Sequence, residues 1–367
     1  MNFPRDPNRP RPIEPVNGPV FRPDLLLVGG SGRNSGKTEL ACRIIARHAP
    51  SEPVVGLKVT TVERTDGHCP HGGEGCGVCS SLDRPWIVTR EMDSESPKDT
   101  CRMLASGARR VHWLRSLRSE LVGGATELLE NVQPGWVGVG ESTSLRQVVE
   151  PGLFILVEST ESAGLKPSAR TVAHLADRVV ASDGRSFDLE LDRISVVDGR
   201  WVLRRDAWAV VTATDDGRPG ADLAIGRTRA SLEPEFDRVL VGAEDHGRAR
   251  AGVPWTAEPG PPPEWFLVTP PLAHGVPPGL VSALFRQRMA ADVVVATFCE
   301  LGRETGLALC RRERLREVIA AGVWSVDALR TLGDARRSLS LQWETPDLVA
   351  TQDPRSTAIQ RAVAEAR

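Results

Sequence analysis

Residues 25–46 read LLLVGGSGRNSGKTELACRIIA and carry the strongest structural signal in the sequence. The apolar run at 25–28 stops at Gly29 and Gly30, which is typical of a buried strand. A polar loop follows, and beyond it apolar residues recur at helical spacing: Leu40, Ile44 and Ile45. The order of strand, glycine-rich loop and helix predicts a phosphate-binding P-loop, because small residues let backbone N–H groups turn inward and a helix N-terminus attracts an anion.

The predicted P-loop assigns its residues to a Mg²⁺-bound nucleotide. Lys37 would reach the β- and γ-phosphates, and the Thr38 hydroxyl would bind Mg²⁺. The other nucleotide-binding residues of the loop are Gly32, Asn34, Ser35 and Gly36. Ser31 departs from the pattern, since a glycine is expected five residues before Gly36, but Gly30 and Gly32 flank it and would supply flexibility. The alternative is an ordinary strand–helix turn that contains Gly-Lys-Thr.

Composition limits what the whole chain can be. Its 367 residues carry a formal net charge of −2, suffice for two domains and have a composition ordinary for a soluble globular protein. The near-zero charge indicates neither nucleic acid nor a membrane as a bulk partner, and no apolar run approaches the ~20 residues of a membrane span. Residues 1–22 are rich in proline and arginine without an apolar signal core, so we expect a disordered arm and a cytoplasmic protein.

Three of the seven cysteines lie within eleven residues. In a reducing compartment such clustering indicates a metal rather than disulfides. We predict a Cys/His segment at residues 66–82 whose metal ligands are Cys69, His71, Cys76 and Cys79. Further candidate ligands are His68 and Cys101. The thiolate and imidazole groups suit either a structural Zn²⁺ or an Fe–S cluster. The alternative is a glycine-rich loop with free thiols.

Charged residues follow other predicted strands and would meet the P-loop at one edge of the sheet. Lys58 lies near the end of a strand at 53–60, and we expect it to face the phosphates rather than solvent. Asp93 and Asp99 precede a helix, and Glu141 ends a strand. Carboxylates at such positions hold Mg²⁺ or orient the attacking water. We therefore assign Mg²⁺ to Thr38, Asp93 and Glu141, with Asp99 as the alternative acid, and catalysis to Lys37, Asp99 and Glu141.

Residues 23–185 alternate strands and helices, and their apolar strands predict a parallel sheet covered on both faces. The order of the charged motifs resembles that of the molybdopterin-guanine dinucleotide biosynthesis adaptor GTPases. These motifs are Lys58, the run Lys98-Asp99-Thr100 before a helix that ends near Gly107-Ala108, and Glu141. The resemblance implies a P-loop GTPase domain, here with an inserted Cys/His segment and with Pro97 where the family has glycine. It also implies a dimer. No Asn-Lys-x-Asp guanine signature is present, so GTP and ATP both stay open.

The second half reads as a separate α/β domain. Residues 186–206 predict a hairpin around Asp198-Gly199, or a linker. Residues 207–352 repeat strands and helices, with helices expected at 307–320 and 325–332, and residues 353–367 form a C-terminal helix or tail. Three segments resemble the molybdenum cofactor guanylyltransferases: Val268-Thr269-Pro270, Glu304 to Arg312 and Glu344 to Leu348. The sheet of that family is nucleotide-diphospho-sugar-transferase-like.

The second domain differs from the guanylyltransferases at two positions on which nucleotide and metal binding in that family depend. The family's nucleotide loop carries a lysine that residues 212–220 lack, and Thr269 stands at the position of its metal-binding aspartate. Loss of a triphosphate-neutralising charge and of a Mg²⁺ ligand makes guanylyltransferase activity doubtful. Asp215 and Asp216 are either substitute ligands or part of a solvated turn. We expect the domain to bind a pterin, a nucleotide or a partner.

Two functions follow as hypotheses. The first is a slow Mg²⁺-dependent nucleoside-triphosphatase in molybdenum or tungsten cofactor biosynthesis, whose partners would be molybdopterin, a molybdoenzyme or a maturation protein. The second is a protein that carries Zn²⁺ or an Fe–S cluster for delivery, with the Cys/His segment as its working site and the nucleotide as its switch.

Overall fold

The computed structural model describes residues 19–32, 34–62, 82–161, 164–214, 220–244, 262–277, 279–288, 291–300, 303–320, 329 and 338–342. The chain divides into two compact units, Met1–Val202 and Leu203–Arg367, and each contains a mostly parallel sheet with helices. None of the described helices is long and apolar enough to cross a membrane.

The first unit is built on a seven-stranded sheet. Its strands are β1 (Val20–Gly30), β2 (Val54–Val62), β3 (Trp86–Arg90), β4 (Arg110–Leu117), β5 (Val137–Glu141), β6 (Val149–Ser159) and β7 (Arg178–Ser182). Its helices are α1 (Lys37–His48), α2 (Asp99–Ala105), α3 (Leu121–Leu129) and α4 (Pro167–Arg170). The strand order is β3-β4-β2-β5-β1-β6-β7, and all neighbours are parallel except β3 and β4. The carboxyl ends of β1, β2 and β5 therefore share one edge of the sheet.

Burial explains why β1 reads as an unbroken apolar run. Leu25 and Leu27 pack in a cluster with Leu57, Leu128 and Phe154, and the two residues that alternate with them are equally inaccessible. A strand covered on both faces needs an apolar side chain at every position, whereas a strand with one solvated face alternates. The predicted α/β class with a mostly parallel sheet is confirmed.

A two-stranded hairpin, β8 (Ile194–Val197) and β9 (Arg200–Leu203), follows the large sheet. Asp198 and Gly199 at its turn have φ values of 51° and 70°, and this left-handed geometry is what asparagine, aspartate and glycine tolerate best. Trp201 in β9 donates from Nε1 to the Gly138 carbonyl at 2.9 Å, and its ring packs nearly perpendicular to that of His48, with the two centroids 4.9 Å apart. The hairpin thus packs on β5 and on the end of α1.

The second unit contains a six-stranded sheet and three described helices. Its strands are β10 (Arg205–Thr214), β11 (Phe236–Glu244), β12 (Trp265–Thr269), β13 (Val293–Glu300), β14 (Arg303–Arg311) and β15 (Ser338–Gln342), and its helices are α5 (Ala221–Leu232), α6 (Leu280–Gln287) and α7 (Arg312–Ala320). The strand order is β11-β10-β12-β14-β13-β15, and only β14 runs antiparallel to its neighbours. Two apolar clusters cover the faces of this sheet.

Three expectations are corrected. The expected arm ended at residue 22, but Val20 pairs with Val149, so residues 20–22 belong to β1. The strand β3 is antiparallel, so the sheet is not purely parallel. Residues 307–311 were expected to be helical, yet they form most of β14, and the helix begins only at Arg312. Leucine and alanine have high helix propensity, but propensity contributes little free energy per residue, and burial between β12 and β13 outweighs it.

Candidate functional site

The predicted P-loop joins the end of β1 to the start of α1. Gly36 is the N-cap of α1 and has a φ of 89°, a left-handed conformation that glycine adopts without strain. A Cβ on Gly36 would lie 2.8 Å from Ser182 Oγ, so the loop also packs closely against the end of β7. The N-terminus of a twelve-residue helix, with its unpaired N–H groups, is therefore presented at the carboxyl edge of the sheet.

Lys37 folds over the beginning of this loop. Its Nζ donates to the Gly32 carbonyl at 2.7 Å and contacts Ser35 Oγ at 3.3 Å. A Cβ on Gly30 would clash with Ser35 Oγ and would lie 2.5 Å from Lys37 Cδ, so glycine leaves room for both side chains. Burial lowers the pKa of Lys37, although the charge of Glu141 opposes that shift.

Ser31, the departure from the usual spacing, has a structural role. It is almost fully buried, its N–H donates to the Val157 carbonyl at 2.8 Å, and its Oγ accepts from the Ser159 N–H at 3.2 Å. The Ser31 carbonyl accepts from the Lys166 N–H at 2.8 Å. The serine therefore ties the start of the loop to β6 and to the segment before α4.

Four of the predicted site residues meet beside the P-loop, and we call them the carboxylate–lysine cluster: Thr38, Lys58, Asp99 and Glu141. Lys58 Nζ lies 2.6 Å from Asp99 Oδ2 and 2.6 Å from Glu141 Oε1. The Thr38 hydroxyl lies 2.8 Å from Glu141 Oε2 and 3.1 Å from Asp99 Oδ1. Parallel pairing of β2 with β5 and the start of α2 bring these groups together from distant parts of the chain.

Neighbouring opposite charges favour the ionised forms of Lys58 and Asp99, and they outweigh burial, which opposes both. Burial opposes the charge on Lys58, but Glu141 and Asp99 outweigh it, so the pKa of Lys58 is raised. Burial likewise opposes the charge on Asp99, but the Lys58 ammonium and the hydrogen bonds from Lys58 and Thr38 outweigh it, so the pKa of Asp99 is lowered.

The two distances from the Thr38 hydroxyl are those of ordinary hydrogen bonds, and they are also compatible with a shared Mg²⁺. Mg²⁺ holds octahedral ligands at roughly 2.0–2.1 Å, so neighbouring ligand oxygens lie about 2.9 Å apart, close to the distances from Thr38 Oγ1 to Glu141 and Asp99. Among the described residues there is no group of three or more His, Cys, Asp and Glu side chains arranged for a metal. Mg²⁺ needs no such group, since it commonly keeps several waters and uses one or two carboxylates beside phosphate oxygens.

Asp93, one of the two acids expected to hold Mg²⁺, lies elsewhere. Its carboxylate accepts from the Glu95 N–H at 2.8 Å and from Cys101 Sγ at 3.8 Å, and the side chain is exposed. Among the described residues, Asp99 rather than Asp93 contacts Thr38 and Lys58, the two residues that also contact Glu141. Lys58, expected to face phosphates, has its ammonium on the two carboxylates instead.

Sequence reasoning missed one residue that supports the loop. Thr143 is buried, and its Oγ1 accepts from the Gly30 N–H at 3.1 Å. It stands two residues after Glu141, in a run of hydroxyl residues that continues through Ser144. A serine–threonine run directly after a strand that ends in an acid was a signal for this contact, since such hydroxyls can bond the backbone of a neighbouring strand.

The predicted metal ligands Cys69, His71, Cys76 and Cys79 lie outside the described residues, as do Asp215 and Asp216. In the second unit, the hydroxyl of Thr269 is fully buried and donates to the Pro270 carbonyl at 2.9 Å. A threonine held in this way does not replace a carboxylate ligand.

Comparisons of the chain with protein-family models, with curated proteins and with solved structures found no match. The function is therefore inferred from the geometry of the loop between β1 and α1 and of the carboxylate–lysine cluster.

Proposed function

We propose that the first unit is a Mg²⁺-dependent P-loop nucleoside-triphosphatase that takes GTP or ATP. The observation that carries this proposal is the position of the Thr38 hydroxyl. It stands in the first turn of the helix that follows the loop and touches one oxygen each of Asp99 and Glu141. A hydroxyl and two carboxylates beside a helix N-terminus suit a cation bound together with a polyphosphate.

Each residue of the site has a distinct task in this proposal. Lys37 and the backbone N–H groups at the start of α1 bind the β- and γ-phosphates. Thr38, Asp99 and Glu141 hold Mg²⁺, which when bound neutralises charge on the phosphate oxygens. The Asp99 side chain is 45% exposed and a water molecule can reach it, whereas the Glu141 side chain is only 4% exposed. We therefore assign the orientation of the attacking water to Asp99 and the positioning of Thr38 to Glu141.

The biological setting rests on the resemblance to the adaptor GTPases. It suggests slow GTP hydrolysis in molybdenum or tungsten cofactor biosynthesis, with molybdopterin, a molybdoenzyme or a maturation protein as partner and with a homodimer as assembly. The second unit would then bind a pterin, a nucleotide or a partner and would not catalyse guanylyl transfer, because Thr269 offers no carboxylate for a metal.

Nucleotide binding to the full chain, measured with and without Mg²⁺, tests the proposal. We expect Thr38→Ala to lose at least about tenfold of the Mg²⁺-dependent affinity, since a hydroxyl ligand is removed. The matched control is Thr38→Ser, which keeps the hydroxyl and should retain that affinity. A purified protein that binds neither GTP nor ATP in the presence of Mg²⁺ would show the proposal to be wrong, and the ratio of the two affinities gives the base preference.

A second candidate function is carriage of Zn²⁺ or an Fe–S cluster, and the close spacing of Cys69, Cys76 and Cys79 favours it. Metal analysis and an optical spectrum of anaerobically purified protein distinguish the two metals. Iron with labile sulfide and visible absorption would support a delivery role, whereas stoichiometric zinc without colour would indicate a structural metal. Replacing Cys76 and Cys79 by serine should then leave nucleotide affinity unchanged if the segment is a separate working site.

A further inference from the structure

The Lys58 ammonium occupies one side of the carboxylate pair while the Thr38 hydroxyl occupies the other. Asp99 gives Oδ2 to Lys58 and Oδ1 to Thr38, and Glu141 gives Oε1 to Lys58 and Oε2 to Thr38. Each of the two carboxylates therefore contacts Thr38 through one oxygen and Lys58 through the other. A cation bound next to Thr38 would share both carboxylates with the Lys58 ammonium.

The four charged groups nearest to Thr38 balance without any ligand. Asp99 and Glu141 contribute two negative charges, and Lys58 and Lys37 contribute two positive ones. Arg102, whose charge also acts on Asp99, is paired with Glu39. Lys58 is only 16% exposed and Glu141 4%, so solvent screens their interaction poorly. A free divalent cation that approaches Thr38 therefore meets no net negative charge, whereas a triphosphate bound at Lys37 brings several.

We propose that Lys58 makes divalent-cation binding at this site depend on the nucleotide. Lys58 acts as a positioning residue and built-in counter-cation: it holds the two carboxylates in place and suppresses binding of Mg²⁺ alone. The cation then enters with the nucleotide, whose phosphates supply the missing negative charge. This inference rests on the proposed function, because it takes the carboxylate–lysine cluster as the cation site.

Binding of Mn²⁺, a spectroscopic substitute for Mg²⁺, tests the inference without any measurement of activity. Electron paramagnetic resonance gives the free Mn²⁺ in titrations of the full chain, with and without a non-hydrolysable nucleotide analogue. For the wild type we expect affinity for Mn²⁺ at least about tenfold higher with the analogue than without it. Lys58→Met should raise the affinity for Mn²⁺ alone by at least about tenfold, because a positive charge close to the cation is removed.

Lys98→Met is the matched control, since it removes the same charge from an exposed lysine next to Asp99. Solvent screens that charge, so its loss should change Mn²⁺ affinity by less than about threefold. Adding Glu141→Gln to Lys58→Met should abolish the gained affinity and assign it to the cluster. Lys58→Gln, which keeps an uncharged donor, serves as a second variant if Lys58→Met does not fold.

The outcomes separate this inference from the proposed function. Equal Mn²⁺ affinity with and without nucleotide in the wild type, or no gain in the Lys58 variants, overturns the inference while nucleotide binding stands. A wild-type protein that binds neither the analogue nor Mn²⁺ overturns both. A gain in Lys58→Met that Glu141→Gln removes and Lys98→Met does not reproduce supports the inference.

Discussion

Lys58 and Glu141 are register partners on the neighbouring parallel strands β2 and β5, and their charged groups meet at 2.6 Å. Strand register therefore builds half of the cluster, and a shift of one residue would turn Lys58 to the opposite face of the sheet. Because β5 is also the neighbour of β1, the pair lies next to the P-loop. Rigid elements rather than long loops thus hold the charged side chains beside the helix that would receive the phosphates.

Asp99 and Asp93 give the sharpest test of the site. We expect Asp99→Asn to lower nucleotide hydrolysis by about tenfold to a hundredfold, because it removes a carboxylate that contacts both Thr38 and Lys58. Steady-state phosphate release under saturating Mg²⁺ measures this effect. Asp93→Asn makes the same chemical change six residues away and should stay within about twofold of the wild type. A larger loss in Asp93→Asn than in Asp99→Asn would place the working acid outside the cluster.

Gly30 and Gly32 form a matched pair on either side of Ser31. Alanine at Gly30 would place a Cβ 2.5 Å from Lys37 Cδ, whereas a Cβ at Gly32 meets no atom of the described part of the chain within 4 Å. We therefore expect Gly30→Ala to displace the lysine and to weaken nucleotide affinity by at least about tenfold, which corresponds to about 1.4 kcal/mol. Isothermal titration of both variants decides the question. Equal affinities would mean that Lys37 adapts without loss.

Sequence reasoning reached the elements of this site because their signals are local. The run of apolar residues, the glycines and the Gly-Lys-Thr sequence defined the strand, the loop and the helix start from neighbouring residues alone. Lys58 and Glu141 were expected at the edge of the sheet that holds the loop, because the carboxyl ends of parallel strands share an edge. Both lie there, but the Lys58 ammonium contacts the two carboxylates and not the expected phosphates. The expectation that Lys58 and Glu141 lie near the loop needed only the prediction of parallel strands.

What sequence reasoning left open depends on contacts between distant residues. The choice between Asp93 and Asp99 required the path of the chain into α2, and no local pattern fixes that path. Gly30 and Thr143 are 113 positions apart, so their hydrogen bond follows only from the pairing of β1 with β5. Residues 307–310 are uniformly apolar and suit a buried strand or a buried helix equally, and pairing with both neighbouring strands decides between them.

Ser31→Gly restores the glycine of the usual P-loop spacing and tests why this chain departs from it. The substitution removes the hydrogen bond that Ser31 Oγ accepts from the Ser159 N–H and loosens the backbone. We expect the free energy of unfolding to fall by about 1–2 kcal/mol while nucleotide affinity changes by less than about threefold. Urea unfolding with parallel nucleotide titration measures both quantities. An unchanged stability together with tighter nucleotide binding would instead mean that the serine hinders the site.

His48 should make stability fall as the pH becomes acidic. Its ring is buried against Trp201, its Nε2 has no hydrogen-bond partner among the described residues, and burial lowers the pKa of His48, with Arg47 adding to the shift. An unfolded histidine titrates near about pH 6.5, so below that pH the unfolded chain binds the proton first. The contribution to stability is therefore complete above about pH 6.5 and is lost as the pH falls toward the folded pKa, by at most about 1.4 kcal/mol per pH unit.

Replacing His48 by phenylalanine keeps an aromatic ring against Trp201 and removes the titrating group. The difference in urea midpoint between pH 7.5 and pH 5 should therefore shrink in His48→Phe. His112, whose pKa is also lowered by burial and by Arg90 and Arg110, should behave in the same way in His112→Phe. His274→Phe, at an exposed position, is the control. A pH dependence in His48→Phe that equals that of the wild type would show that the proton which destabilises the fold binds elsewhere.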